Sequence, residues 1–419
     1  MLSLAHILLI WLYILLPPAA LIVMFAGARR SAADAARIGP TTTVAIASAL
    51  LLGFAASIVY DLWLGGIVTP GQMLLTCYWI AAVICFLKLL DAAFDRCARF
   101  CLFTTIGSWK RPQRQTAAQA LRILLLFLIG LPYMIIAGAT YRPKTIQRID
   151  SLWFDLGATP VSFASTDNLD ITGLWIPAPP APENEIPNPN WGRQTLLICP
   201  GSRGSKAGYL LLTEEFLDNG YNVLTFDFRG HGQSDGQIIT FGDHERRDVL
   251  GAVRWLRDSK PAACRRIVAV GIDTGAAALL AAAAEPSPEG RALSALAVFG
   301  CYDRFDHLAA SAAQIYREPL LQWLVVRIGL PLACVQTGAD LYDFSPATAA
   351  AKIAPRPILF IHSRRDPVID FDLGRSLFES ASAPKSFLWL DDMTDDQAIN
   401  DPNVASRTLR FLDTAVPML

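Results

Sequence analysis

Charge is scarce in this chain: only 17% of its 419 residues are Asp, Glu, Lys or Arg, while 53% are apolar. Such a balance is too greasy for an ordinary soluble enzyme and points to membrane-embedded segments. The formal net charge is −1, so there is no basic excess and no nucleic-acid partner is expected. The eight cysteines are scattered, with no CxxC pair, which excludes a zinc ligand set; buried apolar packing is their expected role. No resident cofactor or metal is expected. Histidine is equally rare, with five residues and none after His362.

The apolar excess sits at one end. Four stretches, Leu4 to Ala26, Thr42 to Gly65, Gln72 to Leu90 and Ala118 to Thr140, each approach or exceed the ~20 residues a helix needs to cross a bilayer. Residues 1–141 therefore read as an all-α bundle of four transmembrane helices. No basic residue precedes the first stretch, and Arg29 and Arg30 follow it, so it reads as an anchor rather than a signal peptide. Arg29, Arg30 and Arg37 follow the first stretch, and Arg96, Arg99, Lys110, Arg111 and Arg114 follow the third. By the positive-inside rule those loops are cytoplasmic. Both termini and everything past the fourth helix are then extracytoplasmic, in a multi-pass protein of the cell membrane. Arg142, Lys144 and Arg148 pull the other way but are fewer. The lipid bilayer is an expected partner, and a second membrane protein is a possible one.

From Ile146 onward, short β-type runs alternate with amphipathic helical patterns, the signature of an α/β domain with a mostly parallel sheet. Eight strands are expected, at 161–164, 171–176, 195–199, 222–226, 266–271, 295–300, 357–362 and 385–390. Helices are expected at 206–219, 242–259, 274–285, 372–381 and 403–415. One domain, 146–419, accommodates them. The six prolines of Pro177 to Pro189 predict a surface loop. The segment 302–354, with an apolar helical piece at Pro319 to Val335, is a candidate lid insertion.

One turn carries the functional question. Gly271-Ile272-Asp273-Thr274-Gly275 follows an apolar strand and precedes an alanine-rich helix. It has the form of a G-x-S-x-G nucleophile elbow with aspartate in place of serine. No serine lies between Lys260 and Pro286, so no shift of register restores one.

Together with Phe226 to Gly236 (FDFRGHGQSDG), Pro357 to Pro367 (PILFIHSRRDP) and Pro200 to Gly204 (PGSRG), this turn makes residues 150–419 resemble the α/β-hydrolase superfamily. The likeness is to its serine-aminopeptidase-like and prolyl-oligopeptidase-like branches. It implies an eight-stranded sheet flanked by helices, Asp273 at the nucleophile position and Asp366 at the acid position. It also implies an oxyanion loop at Gly201 and Ser202, where a proline replaces the usual histidine, and an oxyanion amide on Thr274. The histidine base would fall after the eighth strand, yet Asp391 to Asp396 contains no histidine and Asp395 occupies the slot. His231 and His362 hold family positions whose expected role is to brace loops; His244 and His307 look like surface or lid residues.

Three readings follow. In the preferred one, the domain keeps the fold and pocket, has lost the chemistry, and binds a small-molecule or acyl ligand or a partner. In a second, Asp273 is the nucleophile of a hydrolase acting on esters or related acyl compounds, though hydrolysing the covalent ester would need a missing base. In a third, Asp273, Asp366 and Asp395 converge and share a proton or a Ca²⁺ or Mg²⁺ ion. Against the third stands a simpler expectation, that Asp395 is a solvated loop acid.

Overall fold

A computed structural model describes residues 151–414 apart from 183–187 and 383, together with 126–141 and positions 120, 124 and 144. Most of the expected transmembrane region lies outside these residues. The chain divides into two compact units, Met1–Leu131 and Pro132–Leu419. The second holds the sheet.

Eight strands form it: β1 (Thr159–Ala164), β2 (Asp170–Ile176), β3 (Gln194–Cys199), β4 (Tyr221–Phe226), β5 (Arg266–Ile272), β6 (Leu293–Phe299), β7 (Ile358–Ser363) and β8 (Lys385–Leu390). Their spatial order is β1-β2-β4-β3-β5-β6-β7-β8. The β1–β2 and β2–β4 pairs are antiparallel, and every later pair is parallel. All eight expected strands are present to within two residues at each end, and the mostly parallel sheet is as anticipated.

The sequence pattern explains the layers. Residues of β3, β4 and β7 are buried on both faces, which is why those strands read as continuous apolar runs, whereas edge strand β1 exposes most of its residues. One sheet face packs on the helices Arg246–Ser259 and Thr274–Ala284 through Leu250, Val253, Ala277 and Leu280. The other packs on Leu210–Leu217 and Pro402–Thr414 through Phe216, Leu217, Leu409 and Leu412. Arg246–Ser259 and Pro402–Thr414 alternate charged with apolar positions, as helices with one wet face do. Thr274–Ala284 is apolar all round and almost fully buried.

Register then assembles the site. Cys199 pairs with Gly271, Ile272 with Phe299, Phe299 with Ile361, and Ser363 with Leu390. The loops that leave β3, β5, β6, β7 and β8 therefore emerge side by side at the carboxyl end of the parallel strands. β3 lies between β4 and β5, so the chain reverses direction across the sheet there, and such a switch point opens a crevice between loops.

Candidate ligand pocket

Asp273 stands at the tip of the turn between β5 and the helix Thr274–Ala284, with φ 51° and ψ −120°. A side chain in this backbone region is uncommon and costs energy, and the turn is held by tight contacts on both sides. A Cβ on Gly271 would lie 2.6 Å from Ala276 Cα, and one on Gly275 would lie 2.1 Å from the Pro200 carbonyl oxygen. Only glycine lets the helix fold back on β5 at the first position and close on the end of β3 at the second. The Asp273 amide donates to the Phe299 carbonyl at 2.9 Å, which ties the tip to the end of β6.

The carboxylate of Asp273 is bound by the loop expected to form the oxyanion hole. Its Oδ2 accepts from the Ser202 amide at 3.1 Å and from the Ser202 hydroxyl at 2.6 Å. Thr274 is the first residue of the helix, so its amide has no acceptor within that helix. Burial pushes the Asp273 carboxyl above the usual carboxylate range; the two Ser202 donors pull it down, nearby Asp366 pushes it up, and Arg203 draws it down slightly.

Several bonds fix that loop in place. Tyr209 Oη accepts from the Gly201 amide at 3.0 Å. His231 sits between two carbonyls, with Nδ1 3.0 Å from Arg229 O and Nε2 3.0 Å from Ser202 O. Buried Asp227 takes the Lys206 amide at 2.9 Å and the Lys206 ammonium at 2.9 Å. His231 thus braces the loop, as expected of it.

Asp366 and Asp395 meet at the opposite wall. Asp366 Oδ1 accepts from the amides of Val368 at 2.7 Å and Ile369 at 3.1 Å. Asp395 Oδ1 accepts from the Ser363 amide at 2.7 Å. Gly300 lies between them at φ 53°: a Cβ there would fall 2.4 Å from Asp395 Oδ2 and 3.4 Å from Asp366 Oδ2. Asp395 is therefore not the solvated loop acid of the simpler expectation. It opens the short helix Asp395–Ala398 behind a Thr394–Gln397 capping box and is half-buried.

No described histidine hydrogen-bonds to Asp273. His362 is buried, donates from Nε2 to the Ile369 carbonyl at 3.1 Å, and sets Nδ1 against Gly374, where a Cβ would be only 2.3 Å away. His307 faces Asp303 at 2.9 Å, and His244 faces Asp243 at 3.7 Å. Potential ligand atoms of His362, Asp366 and Asp395 lie within 4.8 Å of one another, a grouping that does not include Asp273. The expected trio of aspartates therefore does not form a single cation site around Asp273.

The Asp273 turn, the 201–209 loop and the wall of Asp366 and Asp395 enclose a cleft of about 450 Å³. Asp273, Asp366 and Asp395 face it along with Ile272, Phe299, Val368 and Ile399, and Arg203 stands exposed at its edge. None of the lining residues comes from 302–354. Sequence reasoning missed Tyr209, Gly300 and Ser363. Tyr209 looks like one more apolar residue ahead of a helix, and Ser363 acts through its backbone amide, which no sequence pattern marks. Gly300 directly after a strand was the one readable signal.

Residues 158–356, from β1 to just ahead of β7, match the family model for the X-Pro dipeptidyl-peptidase (S15 family). The chain is 32% identical over 194 residues to the uncharacterized protein YqkD of Bacillus subtilis, which covers 46% of this chain and 61% of that protein. It is 25% identical over 249 residues to the uncharacterized protein YfhR of Escherichia coli K12, covering 58% and 75%. Among solved structures, the Pyrococcus furiosus esterase Pf2001 superposes with a TM-score of 0.51 at 22% identity, over 65% of this chain and 98% of the esterase. A second crystal form of that esterase gives 0.52 at 20% identity. The chain has the α/β-hydrolase fold.

Proposed function

We propose that this chain is a membrane-anchored protein whose α/β-hydrolase domain binds a small molecule in its pocket without turning it over. The seating of Asp273 carries the reading. Its carboxylate already takes the Ser202 amide and hydroxyl, the donors that an oxyanion would need in the transition state. Catalysis requires interactions that strengthen as charge develops, and these are satisfied before any substrate arrives. No described imidazole reaches Asp273, so hydrolysis of a covalent ester on it has no base.

The chemistry of the cleft supports a ligand class. Three carboxylates, only partly offset by the exposed Arg203, repel an anionic head, and the apolar walls favour a neutral or cationic molecule with a hydrocarbon part. The four apolar segments before residue 141 support an anchoring role, and the basic-loop asymmetry supports an extracytoplasmic pocket.

One observation favours a second reading, that of an Asp273-based hydrolase: the turn keeps its strained backbone, and strain persists where surrounding structure maintains it for use. A hydrolysis screen decides between them. The full chain and its Asp273→Ala variant are assayed on aryl esters, epoxides and X-Pro peptides, the last because of the S15 match. Equal and negligible rates are expected. Turnover that disappears in the variant, or turnover that both proteins share, overturns the binding reading.

A further inference from the structure

We propose that the helix Pro319–Thr337 rests on the bilayer, with its outward face in lipid. This rests on the reading of residues 1–141 as membrane-embedded. The helix has 19 residues, and an 18-residue window of it has a mean hydropathy of 1.4, yet only 33% of that window is buried. Its middle is a wide π-helical turn, Val325–Gly329, just ahead of Pro331, whose missing N–H and ring crowd the ordinary α geometry.

One side of this helix packs inward through Leu324, Val325, Leu330 and Ala333. The other leaves Leu320 57% exposed, Trp323 55% and Val335 51%, with Ile315 just before it at 81%. Single exposed apolar residues need no explanation, but large ones gathered along one helix do. Arg327 is also exposed, four residues after Trp323. A tryptophan next to an arginine that can reach outward suits the boundary between acyl chains and headgroups.

The occupant follows from what this helix packs against. A Cβ on Gly329 would lie 3.1 Å from Ile136 and 3.7 Å from Pro132, so Gly329 seats the helix Leu131–Thr140. That helix is the end of the fourth apolar stretch, Ala118 to Thr140, and itself exposes Met134 at 71% and Tyr133 at 47%. The last turns of an expected membrane span thus lie directly against Pro319–Thr337. A surface this close to a span and this apolar meets lipid, as an amphipathic interfacial helix does.

The full chain, reconstituted in phosphatidylcholine and phosphatidylglycerol vesicles with a trace of phosphatidylcholine bearing an acyl-chain diazirine, tests this. After irradiation, adducts mapped by mass spectrometry are expected on peptides spanning 315–337 as well as on the four apolar stretches. The double variant Leu320→Glu, Trp323→Glu removes apolar contact at exposed positions and is expected to cut the 315–337 label at least about fivefold while sparing residues 1–140. Adducts confined to residues 1–140 overturn the proposal and leave the anchor standing, whether water or another protein covers the helix. No adducts at either place overturn both. Label on 315–337 that the double variant does not reduce also overturns it.

Discussion

Asp273 carries a double burden at the scale of one residue. Its φ of 51° belongs to the region that side chains avoid, a cost of order 1–3 kcal/mol. Its charge is also disfavoured, because burial and Asp366 together outweigh the Ser202 donors and raise its carboxyl above the usual range. The sign of the linkage follows. A carboxyl raised in the folded state binds its proton more tightly there than in the unfolded chain, so its ionised form costs stability. The cost is complete above the folded pKa, shrinks as pH falls through it, and vanishes below the unfolded value of about 3.9. Asparagine keeps an oxygen for both Ser202 donors and removes the charge. Asp273→Asn is expected to raise the melting temperature near neutral pH by roughly 2–4 °C, the shift that ~1 kcal/mol produces in a domain of this size. The gap should close on acidification. Melting both proteins from pH 8 down to pH 4.5 checks this; a variant less stable at neutral pH, or a gap indifferent to pH, would refute the electrostatic account.

Among the elements, the loop after β4 shows how the frame of the pocket is held. Arg229 lies on that loop, buried, and donates to Asp248 Oδ1 from Nη2 at 2.7 Å and from Nε at 3.1 Å. It also clamps Asp167 in the β1–β2 turn with Nη1 at 2.9 Å and Nη2 at 2.7 Å. Asp248 is wholly buried on the helix Arg246–Ser259, so the arginine joins sheet edge, loop and helix through one planar group. Arg229→Met fills similar space but leaves Asp248 without its counter-charge. A loss of about 3–5 kcal/mol is expected in chemical denaturation, the range for breaking a buried pair from one side. The double variant Arg229→Met, Asp248→Leu should recover part of it, and failure to recover any would mean that packing rather than charge is the cause. The same clamp shows what the sequence can and cannot reveal. The run FDFRGHG marked the loop, and continuous apolar runs marked the inner strands such as β3, β4 and β7, because strands buried on both faces leave no other pattern. The elbow was legible since Gly271 and Gly275 are dictated by contact. The partners of Arg229, 62 and 19 residues away, were not. Asp395 was harder still. It is one of four acids between Asp391 and Asp396, and only the packing of its helix against the β7 end turns Asp395 into the cleft.

Taken as a whole, the chain is nearly neutral, with a net charge of −1, so the acidity of the cleft is local rather than a share of an acidic surface. Asp273 arrives there on the turn after β5, Asp366 on the loop after β7 and Asp395 at the start of the short helix after β8, so the fold itself gathers three carboxylates from distant sequence. Low-dielectric walls of Ile272, Phe299, Val368 and Ile399 strengthen their field within the cleft. Arg203 offsets only part of it, since it stands exposed at the rim, where solvent screens it. A ligand that binds here selectively should therefore be distinguished by the charge of its head more than by its apolar body. Benzylamine and benzoate differ in that respect and share a ring small enough for a cleft of about 450 Å³. Benzylamine is expected to raise the melting temperature of the full chain in detergent, with an effect that weakens in high salt, while benzoate at equal concentration leaves it unchanged. Asp273→Asn removes one of the three charges and should reduce the benzylamine shift without abolishing it. Stabilisation by benzoate, or a benzylamine shift that is the same in the variant, would show that these carboxylates do not select the ligand.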